Sequence, residues 1–135
     1  MEVKTIQKYK TKNVNQLIKI AERWCNSYIR KRDEGRACIS CGKYLNLQAG
    51  HFYPAGWYPN LKFNEKNING QCLSCKYFKS GNLQEYRKNL NTKIGEKKVK
   101  ELDFLAAAYK RNGWKWDRFY LIEKIEYYKT KVKTL

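Results

Sequence analysis

Four cysteines fall in two pairs, each with two residues between its members: Cys38 with Cys41, and Cys72 with Cys75. Such a spacing turns both sulfurs of a pair toward one point, and two pairs supply the four thiolates of a tetrahedral zinc ion at about 2.3 Å. A closed four-thiolate site keeps no open position, so its work is structural. Residues 42–71 separate the pairs, a longer insert than a simple ribbon needs, and inside it stands His51, the one histidine of the chain. The zinc therefore closes a loop that presents something. Imidazole titrates near pH 6.5, close to working pH, which suits it to take a proton from water during phosphodiester hydrolysis. Its tautomer needs fixing, and Asn67 offers an amide oxygen for the second ring N–H. Charge developing on a phosphate then calls for a hard cation, Mg2+ or Mn2+, on oxygen ligands at a second site with open positions. A lone histidine also reads as an ordinary structural side chain.

The composition points the same way. Among 135 residues, 29 Lys and Arg face 12 Asp and Glu, a formal charge of +17, and 15% of residues are aromatic. A chain this basic meets a polyanion, with nucleic acid the leading candidate. No apolar run approaches the roughly 20 residues of a membrane span, and the first residues, MEVKTIQKYKTK, lack a leader's apolar stretch. The chain is expected in a reducing cytoplasm, where paired cysteines suit metal better than disulfides.

These residues need elements to hold them. The fold class expected is α+β, mostly helical, with a zinc-stapled core of two strands and a helix flanked by amphipathic helices. Residues 1–12, rich in lysine, read as a flexible basic arm. Asn13 with Gln16 makes a capping box, after which Val14, Leu17, Ile18, Ala21, Trp24, Cys25, Tyr28 and Ile29 repeat at helical spacing to an end near Gly35. Cys25 belongs to that apolar stripe rather than to the metal set. Between Ala37 and Gln71 helical periodicity vanishes, and Leu45 to Phe52 and Leu61 to Asn64 are the candidate strands. Asn82 with Glu85 suggests a second capping box before Leu83, Tyr86, Leu90 and Ile94, and a further helix runs from Glu96 to Arg111. The main domain is thus 13–111. Residues 112–135, in which Trp114 and Trp116 precede a basic helix capped by Asp117, either pack on that domain or mediate dimerisation.

HxxP at His51 and Pro54, followed by NxxxxCxxCxxxK from Asn67 to Lys79, resembles the HNH or ββα-metal nuclease signature. YIRKRD (28–33), CISCG (38–42), AGHF (49–52), LKFNEKNINGQC (61–72) and KSGNLQEYR (79–87) further resemble the bacteriophage NinG proteins, the Rap recombination endonucleases, over residues 14–103. The resemblance implies a structure-specific endonuclease that nicks D-loops and Holliday junctions, with His51 as general base, Asn67 orienting it, and a zinc knuckle leading into the helix that supplies a ligand for a catalytic Mg2+ or Mn2+. Two positions depart from the HNH pattern. Many members carry an acidic residue immediately before the histidine, where Gly50 stands, and many carry His or Asn directly after the last cysteine, where Lys76 stands. Asn82 is the substitute cation ligand, though it also reads as a helix cap; Glu65 and Asp33 are the other oxygen donors, and Asn67 also reads as a turn former.

Branched DNA presents phosphates from several arms and unpaired bases at the crossover, so it needs a broad positive surface. Arg30, Lys31, Arg32, Lys76, Lys79, Arg87 and Lys88 are the expected backbone contacts. Trp57 and Tyr58 either stack on exposed bases or pack beneath the zinc loop. A two-fold junction and a surplus of amphipathic helices suggest a homodimer. Two other classes of function stay open: a zinc-stapled module that binds branched or single-stranded nucleic acid without cutting it, and a zinc module docking another recombination protein.

Overall fold

The computed structural model describes residues 1–135. Seven elements follow in order: α1 (Val3–Lys8), α2 (Val14–Arg32), β1 (Leu47–His51), β2 (Ile68–Cys72), α3 (Leu83–Ile94), α4 (Glu96–Asn112) and α5 (Arg118–Thr134). The molecule is mostly helical, with one antiparallel two-stranded sheet in which Leu47 pairs with Cys72 and His51 with Ile68. No helix is long and apolar enough to cross a membrane.

The capping box on α2 forms as its sequence requires: Gln16 N–H donates to Asn13 Oδ1 and Asn13 N–H to Gln16 Oε1, both at 2.8 Å. Leu17, Ala21, Cys25 and Ile29, spaced one turn apart, are buried along one line of the helix. That line meets Leu121, Ile122, Ile125 and Tyr128 of α5, and Ala49, Phe63 and Ile68 close the same core from the sheet side. The C-terminal helix is therefore packed on the domain. Its apolar face is used within the chain, which removes the observation that suggested a dimer through it. Trp116 anchors its start, edge-on to Phe63 with ring centroids 5.9 Å apart. A second core joins Ile39, Phe52, Leu61, Tyr86, Leu90, Val99, Leu102 and Ala106, bringing α3 and α4 against the insert.

Three expectations change. Residues 1–12 are not a loose arm: α1 is helical, and Tyr9 is buried against α5, its hydroxyl donating to Glu126 at 2.6 Å. The lysines around it hide a single well-packed ring. Residues 61–64 are not a strand either. Pro59–Leu61 and Glu65–Asn67 are tight helical turns, and Asn64 caps the second by accepting from Lys66 N–H. The second strand is instead Ile68–Cys72, buried throughout. Its polar side chains are hidden because each finds a partner: Asn69 donates to Tyr86 and accepts from Lys93, and Gln71 reaches Ser40 and Gly81. Finally, the box expected at Asn82 does not form. Asn82 takes a left-handed backbone, φ 44°, and no side chain caps α3.

Candidate zinc centre and histidine pocket

The two cysteine pairs come from the turn after α2 and from the end of β2, which runs directly into a wide helical turn, Ser74–Phe78. Cys38 N–H donates to Lys43 O and Gly42 N–H to Cys38 O, so the first knuckle is closed by its own backbone. All four sulfurs lie within 4.8 Å of one another, and Cys41 Sγ stands 3.8 Å from Cys72 Sγ. Bonds of about 2.3 Å in a tetrahedron put sulfurs about 3.8 Å apart, so the donor set fits zinc. Second contacts fit thiolates as well: Cys72 N–H points at Cys38 Sγ (3.3 Å), Cys75 N–H at Cys72 Sγ (3.5 Å) and the Asn82 amide at Cys75 Sγ (3.6 Å). Burial alone would raise the Cys38 thiol, but N–H groups of Cys72, Cys41 and Ser40 bring it down to about 7. Burial pushes Cys75 up to about 12. Four thiolates this close repel one another, and a divalent cation removes the conflict. Cys25, by contrast, lies in the α2–α5 core, pushed up to about 12 by burial, and takes no part.

His51 closes β1. Its Nε2 lies 2.8 Å from the Lys62 carbonyl, which can only accept, so Nε2 carries the proton and Nδ1 keeps its lone pair. Burial lowers the ring's pKa; the Lys62 carbonyl opposes that, while the Lys62 and Lys76 charges add to it. The imidazole is therefore neutral at pH 7. It borders an open cavity of about 310 Å³ whose other lining includes Pro54, Gln71, Lys76, Ser80 and Leu83. Lys76 Nζ donates to Ala49 O at 2.8 Å and has two further protons to offer.

The expected partners of His51 are elsewhere. Asn67 is wholly buried and clamps the insert, accepting from Tyr53 N–H at 2.8 Å and donating to the Tyr53 and Leu61 carbonyls. It forms the loop and does not touch His51; the Lys62 carbonyl orients that ring, and a backbone group leaves no mark in a side-chain pattern. The Asn82 amide donates to Cys75 Sγ, and Asn82 does not line the His51 cavity. Asp33 is buried under Arg32, the Gly70 N–H (2.7 Å) and Lys93, and Glu65 accepts from Tyr128 at a different cavity, shared with Arg32, Lys66, Lys93 and Lys124. Gly50 cannot be exchanged for the missing acid, since a Cβ there would lie 2.2 Å from Gln71 Oε1. The cavity beside His51 thus offers an ammonium and no carboxylate. These residues do not fit a hard divalent cation, which needs several oxygen donors and which Lys76 repels.

A family model described as "Bacteriophage Lambda NinG protein" matches residues 2–135. The chain belongs to the NinG family. Over 111 residues it is 40% identical to "Protein ninG" of Escherichia phage lambda, covering 81% of this chain and 53% of that relative. "Protein ninG" of Salmonella phage P22 is 39% identical, again with 81% and 53% covered, and that of Escherichia phage 933W is 39% identical, with 81% and 54% covered. This NinG chain spans about half the length of those relatives. No solved structure matches it. The family match extends past the resembling motifs at both ends, taking in α1 and α5.

On the surface of this NinG chain the expected DNA contacts divide. Arg30, Lys31, Lys79 and Lys88 are exposed, and Lys76 is half-buried at the cavity. Arg32, mostly covered, and Arg87, still partly exposed, are each committed to an acidic partner in the chain. Arg32 grips Asp33 with two bonds of 2.9 Å and reaches the Ile68 carbonyl, while Arg87 forks onto Asp103, which also receives the Tyr53 hydroxyl. Trp57 is 72% exposed and packs on neither core; Tyr58 packs against the second core, edge-on to Tyr53 with Lys110 over its ring. Two residues outside the expected set stand out further: Tyr77 and Phe78, which the wide turn after β2 pushes into solvent.

Proposed function

We propose that this chain is a phage recombination endonuclease for branched intermediates such as D-loops and Holliday junctions. One observation carries the reading: a neutral histidine, its Nε2 proton held by the Lys62 carbonyl and its Nδ1 lone pair left free, lines an open cavity beside Lys76 on a chain of charge +17. The succession β1, β2, α3 around the cysteine cluster supports a ββα-metal core with zinc as its staple. In this reading a backbone phosphate enters the cavity and a water stands between it and His51. The water's proton passes to Nδ1 while its oxygen bonds to phosphorus; the bond from phosphorus to the sugar oxygen breaks, and that oxygen takes a proton from solvent. The two unused N–H groups of Lys76 offset the charge growing on the non-bridging oxygens. Arg30, Lys31, Lys79 and Lys88 hold neighbouring phosphates, and Trp57 stacks on a base. The work takes place in the cytoplasm of the phage's host, on DNA handled by other recombination proteins.

One observation favours a second reading, binding without cutting. The cavity holds no carboxylate, and HNH-type hydrolysis of DNA relies on a divalent cation. A labelled four-way junction incubated with the zinc-loaded protein, with Mg2+, with Mn2+ and with neither, separates the two. Cutting by the wild type and none by His51→Ala supports the nuclease. Retention of the junction without cutting, under every condition, assigns the chain to binding alone; equal cutting by both proteins removes His51 from the chemistry. Sedimentation of the free and junction-bound protein tests the homodimer separately, and a monomer in both states excludes it.

A further inference from the structure

The turn between β2 and α3 exposes three apolar side chains within six residues: Leu73 at 53%, Tyr77 at 62% and Phe78 at 81%. Such a cluster costs solubility and contributes nothing to either core, so it marks a surface that meets something. The turn is firmly held. Cys72 and Cys75 tie its start to the cysteine cluster, Gly81 N–H donates to the Cys75 carbonyl at 2.9 Å, and Ser80 and Asn82 take left-handed backbones at φ 50° and 44°. Phe78 and Tyr77 are therefore displayed by a rigid base. Cations accompany them: Lys76 Nζ lies 5.2 Å from the Tyr77 ring centre, and Lys79 follows Phe78 into solvent. Lys76 also lines the cavity of His51, as do Ser80 and Leu83 from the far end of the same turn.

From this juxtaposition we infer that Tyr77 and Phe78 are a stacking platform for unpaired nucleobases at a DNA branch point, set beside the cavity that receives the phosphate. Charge complementarity selects this occupant. A nucleotide offers a flat apolar face and an anion within one residue's reach, which matches an exposed ring flanked by a lysine, whereas an apolar protein face would leave Lys76 and Lys79 desolvated and unpaired. The platform also accounts for a preference for branched over continuous DNA without any base-reading helix, since paired bases keep their faces covered. The inference deepens the branched-DNA reading above and depends on it.

The test compares binding of three DNAs of equal charge by zinc-loaded wild type, Tyr77→Ala, Phe78→Ala and Phe78→Trp: a four-way junction, a duplex with an unpaired flap, and a linear duplex. Both rings are exposed, so zinc content and melting temperature stay at wild-type values. Each alanine variant is expected to lose affinity for the flap and junction by about 5- to 150-fold, the usual worth of one base–aromatic stack. Affinity for the linear duplex and the slope of affinity against salt remain as in the wild type, and Phe78→Trp retains branch binding. Equal losses on all three DNAs, or no loss on any, overturn the inference while leaving branched-DNA binding in place. A wild type that binds none of the three overturns both readings. A wild type that self-associates through this patch, with Phe78→Ala monomeric, gives the surface to a second copy and overturns the platform.

Discussion

Replacing Gly50 by alanine adds one methyl group to β1 at the place where the HNH pattern puts an acid. An ideal Cβ at 50 stands 2.2 Å from Gln71 Oε1 and 2.8 Å from Gln71 Cβ, too close for any real contact. Gln71 cannot swing aside freely, because its Nε2 donates to Ser40 Oγ at 2.9 Å and to Gly81 O at 2.6 Å. Forcing a methyl into a filled site costs about 1–3 kcal/mol. Losing the two hydrogen bonds adds about 0.5–1.5 kcal/mol each, so the total is about 2–6 kcal/mol. With a urea slope of about 2 kcal/mol/M, the unfolding midpoint of the zinc-loaded protein falls by about 1–3 M at unchanged slope. Gly50→Asp, which carries the same Cβ and a carboxylate beyond it, falls at least as far. A Gly50→Ala protein that unfolds at the wild-type midpoint would refute the reasoning, for it would mean that Gln71 does not wall off this position and that the missing acid is an accident of sequence.

Four further outcomes follow from the same contacts. The single imidazole gives one NMR titration, and its pKa is expected below 6.5 with the Nε2–H tautomer dominant; stability then drops as pH falls below 6.5, where the unfolded chain binds the proton first, and a pKa at or above 6.5 contradicts the buried, lysine-flanked setting. Asp33→Ala leaves Arg32 and Lys93 without their buried partner and destabilises by about 3–5 kcal/mol. Burial favours the neutral Asp33 carboxyl, but the Arg32 bond, the Gly70 N–H and the Arg32 and Lys93 charges outweigh it and hold the group below the usual range; its stabilising effect is complete above about pH 4 and lost in stronger acid, a loss missing from Asp33→Asn melts. Tyr9→Ala lowers stability by about 3–5 kcal/mol by equilibrium unfolding, and a neutral result would restore the loose arm. Cys72→Ser loses its metal by elemental analysis together with its cooperative transition; a folded metal-free variant excludes the zinc staple.

The cysteine cluster was legible from spacing because two residues between cysteines suffice, through local backbone geometry, to aim both sulfurs at one point. Helices α2, α3, α4 and α5 were legible for a related reason: an apolar stripe at helical period names both the element and the face it buries, and Leu17, Ala21, Cys25 and Ile29 lie where the period puts them. β2 was not legible. INGQC alternates badly and reads as polar, and it is buried only because Tyr86, Lys93, Ser40 and Gly81, all distant in sequence, satisfy Asn69 and Gln71. The roles of two asparagines were not legible on the same account. Asn67 and Asn82 have the residue type for base orientation, cation binding or capping alike, and the choice fell to neighbours that sequence does not name.

The amino-acid order alone determined the cysteine set, the helical stripes, the positive charge and the kinship with NinG proteins, all of which rest on residue type and on separations of a turn or less. Tertiary structure decided which cations are free and which, like Arg32 and Arg87, are held by Asp33 and Asp103. It decided that Lys62 lends a carbonyl to His51, that Gln71 keeps position 50 bare, and that Tyr77 and Phe78 face water. Those outcomes depend on hydrogen bonds and close approaches between segments far apart along the chain, and such contacts exist only once the two cores and the cysteine cluster have set the segments side by side.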